Sequence, residues 1–435
     1  IVAPGFIDVH THDDRLLLGA PDMAAKASQG VTTVIVGNCG VSLAPLTPVA
    51  PPPPPLDLIG DQVTYRYPTF AAYLDALDET PPALNAACLV GHSTLRVGAM
   101  DRLDRAATGD EIAAMRARLA QSLDAGAIGF STGLAYAPAH AAPTSEIIAL
   151  ADVLKSRGAI HTTHMRDEGE LVMESLDESF EIGRRADVPV VISHHKASGR
   201  KNFGRSRDSL ASIKNAMNSQ SVGLDAYPYV ASSTVLDPGW IAEAERVLVT
   251  WSKSNPDQAG RDLADIAADW GVSIQQAAVR LQPAGAVYFS MDEADVRRIL
   301  SFPHTMIGSD GLPHDSHPHP RLWGSFPRVL GHYSRDVGLF PLEEAVRRMT
   351  GLPAAQFALT NRGRIAVGAY ADLVIFDSAT IIDRATFAAP MTPAAGIDLV
   401  LVNGQPVWRN GQPTGRRPGR ALRRQVLQAE AKSLN

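Results

Sequence analysis

Pro4-Gly5-Phe6-Ile7-Asp8-Val9-His10-Thr11-His12 is the stretch from which the rest of the chain can be read. A short apolar run leads into two histidines one residue apart. In a strand, side chains at i and i+2 share a face, so His10 and His12 point the same way. Two imidazoles on one face at a strand end, just after a Gly-containing turn, make half of a metal site. An isolated H-x-H is more often a pair of solvent-facing loop histidines. Here the missing ligands stand at other strand ends.

Downstream, short Val/Ile/Ala-rich runs alternate with longer segments of helical period. Strands are expected at Phe6–Val9, Val31–Val36, Ala87–Val90, Ala127–Ser131, Ala159–Thr162, Pro189–Ser193, Val222–Asp225 and Thr305–Gly308. Helices are expected at Glu111–Ala125, where Thr108 and Glu111 fit a capping box, and at Glu146–Arg157, Leu171–Ala186, Ser209–Asn218 and Leu342–Phe357. Eight strands alternating with helices predict an α/β fold, a parallel (β/α)8 TIM-like barrel rather than an open sheet. The barrel is expected over residues 1–362.

Three stretches break the rhythm. Ala44–Leu56, with its run Pro51–Pro55, reads as a surface loop after the second strand. Residues of about 228–302 are too many for one crossover. They contain the helical segments Ala242–Lys253 and Arg261–Trp270 and predict a lid over the barrel mouth. Residues 363–435 hold strand-like runs with the turn signals Asn403-Gly404 and Asn410-Gly411. They predict part of a satellite β-domain, a small β-sandwich built from the chain ends, followed by a solvated basic tail at Arg416–Arg424.

With 435 residues the chain can bury a large core, and its formal net charge of -6 argues against nucleic acid or an anionic membrane as partner. No apolar run approaches the roughly 18 residues that span a bilayer. Two cysteines, Cys39 and Cys88, do not suggest a disulfide scaffold, so a reducing, cytoplasmic setting is the default expectation. The chain begins at Ile1 inside what reads as an internal motif. An N-terminal segment is therefore expected to precede it, and a signal peptide stays open.

In a barrel, functional groups sit at the C-terminal ends of strands. Those ends read His10 and His12; Gly37-Asn38-Cys39-Gly40; Gly91-His92-Ser93; His161 to Glu168; Ser193-His194-His195-Lys196; Asp225-Ala226-Tyr227-Pro228-Tyr229; and Gly308-Ser309-Asp310-Gly311. Five of these seven ends carry His or Cys, and another carries an Asp between Ser and Gly. Imidazole, thiolate and carboxylate together suit a borderline-soft ion such as Zn²⁺. Taken singly, Cys39 reads as a small buried hydrophobe, His164 and His194 as core histidines, and Asp310 as a turn residue. Their coincidence at one pole of one barrel favours the metal site.

These motifs, V-x-P-G-F-I-D-x-H-T-H, V-T-T-V-x-V-G-N-C-G-x-S-x-A-P, H-M-R-D-E, S-H-H-K, D-A-Y-P-Y and G-S-D-G, resemble the amidohydrolase superfamily and, more narrowly, its D-aminoacylase (N-acyl-D-amino-acid deacylase) branch. The resemblance extends through Gly368–Phe376. It implies zinc-dependent hydrolysis of the linear amide bond of N-acyl-D-amino acids, a small-molecule substrate, with oligomeric state open. It implies one tight zinc on Cys39, His164 and His194. A second, weaker site would use His10, His12 and Asp310, with Cys39 bridging. Asp310 would be general base, Lys196, Tyr227 and Ser233 would grip the substrate, and Tyr136 would line the pocket. His92 is expected behind the ligands or as a tie for its loop. Strand alternation lets only one of His194 and His195 face the axis; the family motif favours His194.

Many binuclear relatives bridge two metals with a carboxylated lysine at the end of the fourth strand. Here that end is Ile128-Gly129-Phe130-Ser131-Thr132-Gly133, and the Cys39 thiolate would supply the bridging charge. The missing lysine counts against a cyclic amidase or an isoaspartyl-type dipeptidase. A catalytically silent barrel used as a scaffold is the alternative of a different class, and the complete ligand set counts against it.

Overall fold

In the computed structural model, which describes residues 1–424, eight parallel strands form the central sheet. They are β2 (Phe6–Asp8), β3 (Val31–Val36), β4 (Asn85–Gly91), β5 (Gly129–Gly133), β6 (Ile160–His164), β7 (Val190–Ile192), β8 (Val222–Ala226) and β12 (Thr305–Ile307). Each pairs with the next in parallel register, from β2 round to β12. Every residue of these strands is buried, as Val/Ile-rich parallel strands covered on both faces require.

The seam between β12 and β2 has no long ladder. A bridge between Thr11 and Gly311 and the Asp310 N–H donating to the His10 carbonyl (2.8 Å) draw the two strand ends together. Below them, the buried Lys26 ammonium lies 2.8 Å from Asp8 Oδ2 and 2.5 Å from Ser309 Oγ. The barrel is thereby nearly closed, and His10, His12 and Asp310 are brought side by side.

The small β-domain is one antiparallel sheet of five strands: β1 (Val2–Pro4), β13 (Leu373–Phe376), β14 (Ile397–Val402), β15 (Gln405–Arg409) and β16 (Gln412–Pro413). It does draw on both chain ends. Its buried face (Val374, Phe376, Val400, Val402) joins the barrel's hydrophobic core instead of meeting a second sheet, so among the described residues it forms a single layer.

Between β8 and β12 the chain leaves the barrel. β9 (Ala231–Val235), β10 (Arg246–Ser252) and β11 (Ala284–Phe289) form an antiparallel sheet in the order β10-β11-β9, with helices Leu263–Trp270 and Ile274–Leu281. This lobe has its own core, centred on Val249, Ile266, Ala277, Leu281 and Ala286. The helix expected at Ala242–Lys253 is mostly strand β10. Its run Arg246-Val247-Leu248-Val249-Thr250-Trp251-Ser252 is rich in β-branched residues and is stabilised by pairing with β11, a partner far away in sequence.

Other differences are local. The helix at Gly109–Ala125 is capped as expected, with the Glu111 N–H donating to Thr108 Oγ1 and the Thr108 N–H to Glu111 Oε2. The helix expected at Leu342–Phe357 is broken at Thr350 into Leu342–Met349 and Gly351–Gln356. The tail Arg416–Arg424 keeps Arg416, Arg417, Arg420 and Arg423 exposed, as expected, but its backbone docks from Gly419 onward: the Leu422 N–H donates to the Ala86 carbonyl (2.7 Å) and the Arg424 N–H to the Gly126 carbonyl (3.0 Å). Unpaired backbone at the start of β4 and before β5 is what the tail satisfies. Among the described residues no helix is long and apolar enough to cross a membrane.

Candidate active site

The first pair of candidate ligands is placed by the passage from β1 through Gly5 into β2. The Gly5 N–H donates to the Asp372 carbonyl (2.8 Å), and a Cβ at Gly5 would stand 2.2 Å from Thr32 Cγ2, so only glycine lets the strands approach this closely. His10 and His12 follow at the end of β2, both buried.

Cys39 sits in a tight turn after β3. Gly37 and Gly40 flank it at φ 81° and 74°, and Cys39 itself is left-handed at φ 53°. The Asp14 carboxylate accepts the Gly37 N–H (3.2 Å) and the Leu43 N–H (3.3 Å), while Asn38 Nδ2 donates to the Ile35 carbonyl (2.9 Å). His194 (φ 36°) and Asp310 (φ 49°) are left-handed too. Non-glycine residues pay steric strain there and persist only where their surroundings over-determine them, which is common at functional sites.

The side chains converge as follows. Cys39 Sγ is 3.2 Å from His10 Nε2 and 3.3 Å from His194 Nε2. Asp310 Oδ1 is 3.2 Å from His12 Nε2 and 3.5 Å from His10 Nε2. Donor atoms of His10, His12, Cys39 and Asp310 lie within 4.8 Å of one another, as do those of Cys39, His164 and His194. Two donor sets sharing one sulfur therefore meet at the mouth of the barrel.

Charge at this point is concentrated. Burial alone would push the Cys39 thiol up, but His10 and His194 hold it well below its usual value. Burial would likewise raise Asp310; Arg321, His10 and His194, with the hydrogen bond from His12, keep its carboxyl well below the usual range. Conversely, burial should lower His12, yet Asp310 and Cys39 raise it to about 9. A pocket that draws protons onto buried imidazoles draws cations, and the buried, unpartnered Nδ1 of His164 adds a free donor. Soft sulfur with imidazole and carboxylate fits zinc.

Three residues of the site were given no role by the sequence, Glu168 and Asp225 standing within quoted motifs and Arg321 outside them. Glu168 accepts from Lys196 Nζ at 2.7 Å and lies 2.9 Å from His194 Nδ1. Asp225 accepts the His194 N–H (2.9 Å) and its Oδ1 faces His10 Nδ1 at 3.4 Å. Arg321, fully buried, places Nη1 2.9 Å from Asp310 Oδ2 and donates from Nη2 to the Ser233 carbonyl (2.9 Å). The surplus of paired charge around the ligands was the available signal, but pairing partners are a tertiary matter.

Beside the donors opens a cavity of ≈ 170 Å³ whose wall includes Tyr136, Lys196, Tyr227 and Ser233. Tyr136 packs against His164 with the rings tilted at 54° (centroids 4.8 Å apart), and its hydroxyl bonds Thr234 Oγ1 (2.9 Å). The hydroxyls of Tyr227 and Ser233 are buried without partners. Burial pushes Tyr227 up to about 12, so it remains a donor at neutral pH. Two histidines lie outside the cluster. His195 turns away to Ser209 Oγ (2.8 Å), and His92 bonds Glu146 Oε1 (3.0 Å), which also pairs with Arg96 and so ties the helix His92–Ala99 to the helix Thr144–Lys155.

The profile of the amidohydrolase family matches residues 1–198 and 239–408. A D-aminoacylase of Alcaligenes xylosoxydans xylosoxydans is 59% identical over 98% of this chain and 87% of its own length. A solved D-aminoacylase with a binuclear metal centre, in which one metal activates and a second attenuates, superposes with TM-score 0.95 at 58% identity, covering 97% of this chain and 89% of that one. An N-acyl-D-glutamate deacylase of Bordetella bronchiseptica, solved with zinc and a phosphonate mimic of the tetrahedral intermediate, superposes with TM-score 0.93 at 48% identity and the same coverage. The nearly closed barrel, the donor cluster at its mouth and these likenesses agree: the chain belongs to the amidohydrolase family, in its D-aminoacylase branch, and is metal-binding.

Proposed function

We propose that the protein hydrolyses the amide bond of N-acyl-D-amino acids to a carboxylate and a free D-amino acid, with zinc as its metal. The observation that carries this is the convergence of Cys39, His164, His194 and Asp310 beside a cavity holding one buried ammonium and two unpartnered hydroxyls. Cys39, His164 and His194 would hold one zinc tightly, and His10, His12 and Asp310, sharing Cys39, a second more weakly. A bound zinc supplies polarisation of the scissile carbonyl and acidifies water toward neutral pH.

The protein's own groups carry the rest. Asp310, ionised at neutral pH, takes the proton of the attacking water on its carboxylate. Arg321 holds Oδ2 and so orients the carboxylate. The proton then passes from Asp310 to the leaving nitrogen, a far stronger base once the C–N bond is breaking. Tyr227 and Ser233 donate to substrate oxygens; one such well-placed donor is worth roughly 3 kcal/mol in the transition state. Lys196 contributes positive charge, but its ammonium already contacts both oxygens of Glu168 at 2.7 Å, so it acts on a substrate carboxylate as one half of an ion pair. D-selectivity follows the named relatives.

Paired assays on the N-acetyl-D and N-acetyl-L forms of one amino acid, with metal analysis of the same sample, test this reading. Turnover of the D form with about one zinc retained per chain is expected. Preference for the L form, or full turnover by metal-free protein, would overturn it.

A further inference from the structure

Where β12 meets β2 the barrel closes, and among the described residues side chains hold this seam in place of a ladder. Asp8 Oδ1, at the end of β2, accepts the Ser309 N–H (2.8 Å). Lys26 Nζ donates to Asp8 Oδ2 (2.8 Å) and to Ser309 Oγ (2.5 Å), and Ser309 Oγ in turn accepts the Gly311 N–H (3.3 Å). Ser309 and Gly311 flank Asp310, whose backbone is left-handed at φ 49°. Lys26, Asp8 and Ser309 are all fully buried.

Three residues on from Lys26, and so on the same face of the turn, Gln29 holds the neighbouring element. Its Nε2 donates to the Leu322 carbonyl (2.8 Å) and its Oε1 accepts the Phe326 N–H (3.3 Å). Both groups belong to the helix Arg321–Arg328, whose first residue faces Asp310 Oδ2. One short segment therefore grips the turn that carries Asp310 and the helix that carries its guanidinium partner.

We infer that Lys26 is a positioning residue for the second donor set: through Ser309 it fixes the register of β12 against β2, so that Asp310 faces His10 and His12. This rests on the deacylase reading above, with its second and weaker metal position. A buried ion pair is weak evidence of stability, since apolar side chains of similar volume often serve as well, and its best-attested use is to fix register. Register matters at this seam because successive strand residues point to opposite faces. A slip of one residue would turn the Asp310 carboxylate away. The other donor set, Cys39, His164 and His194, stands at the ends of β3, β6 and β7, away from the seam. Loss of the latch should therefore separate the two sets, weakening one and sparing the other.

The test uses Ser309→Ala, which removes the hydroxyl and leaves every charge of the cluster in place, together with Lys26→Met. Protein holding one zinc is titrated with further Zn²⁺ against a competing chelator, and kcat and KM are measured on one N-acetyl-D-amino acid. Both variants should keep the first zinc and bind the second about 10–100-fold more weakly, as loss of an outer partner does elsewhere. Misplacement of Asp310 should lower kcat by about 100-fold with KM little moved. Should Lys26→Met fail to fold, Ser309→Ala decides alone. Native affinity for the second ion and native kcat in Ser309→Ala would overturn the assignment. So would loss of both ions together in either folded variant, which would mark a general collapse of the site. Native protein that takes up no second ion, or hydrolyses no N-acyl-D-amino acid, would instead sink the reading beneath it.

Discussion

At the scale of single residues, Glu168 and Lys196 together meet the nitrogen of His194 that points away from the donor cluster. Glu168 Oε1 stands 2.9 Å from Nδ1, a nitrogen that Lys196 Nζ also approaches at 2.7 Å, while Nε2 faces Cys39 Sγ 3.3 Å away. Lys196 offsets the buried carboxylate's charge: burial would raise Glu168, but Lys196, His194 and His164 hold it well below its usual value. Glu168→Gln should therefore weaken zinc binding by about 10–100-fold, as loss of such a partner does elsewhere. Metal titration with a competing chelator measures it; unchanged affinity would show that His194 is oriented by packing alone. None of this was legible in H-M-R-D-E, because the motif shows which groups are present and not which of them touch.

Among the elements, the turn at Asn38-Cys39-Gly40 is one that packing leaves little room to alter. The end of β5 comes so near it that a Cβ at Gly133 would stand 2.1 Å from the Cys39 carbonyl oxygen. Gly133→Ala should push Cys39 off the cluster, with zinc content and turnover both falling, at a stability cost of about 1–3 kcal/mol. Gly109→Ala, at a helical position where a Cβ meets nothing within 4 Å, is the control and should leave metal content unchanged. Metal analysis with thermal melts distinguishes them; full zinc in Gly133→Ala would mean the turn can shift without losing its sulfur. The N-C-G motif was legible as a strand end carrying Cys39, but that Cys39 itself is left-handed shows only in the fold.

The whole barrel adds a pH dependence away from the metal. His161 is fully buried on β6, stacked on Phe130 (ring centroids 5.7 Å apart), with Nε2 bonded to Thr132 Oγ1 (3.1 Å). Burial, then the nearby His92, lowers it to about 3. An unfolded chain binds this proton below about 6.5 and the folded chain does not until about 3, so stability is full above 6.5 and is lost as pH falls through that window. The slope from this group is about 1.4 kcal/mol per pH unit. His161→Gln should flatten the dependence by about one proton between pH 4 and 6, read from urea midpoints. An unaltered slope would mean the histidine is accessible to protons in the fold.

Periodicity and local spacing by themselves determined the alternation of eight strands with helices, the common face of His10 and His12, the capped helix at Gly109–Ala125 and the cluster of ligand types at strand ends. Those features depend on neighbours within a turn or a strand, which the order of residues states directly. Only the tertiary structure decided that Arg246–Ser252 is a strand, that the tail docks from Gly419 onward, that Glu168, Asp225 and Arg321 meet the candidate ligands, and that the Pro-rich excursion returns to the site. Each of these rests on a partner far off in the chain, and which distant groups meet is set by how the barrel closes.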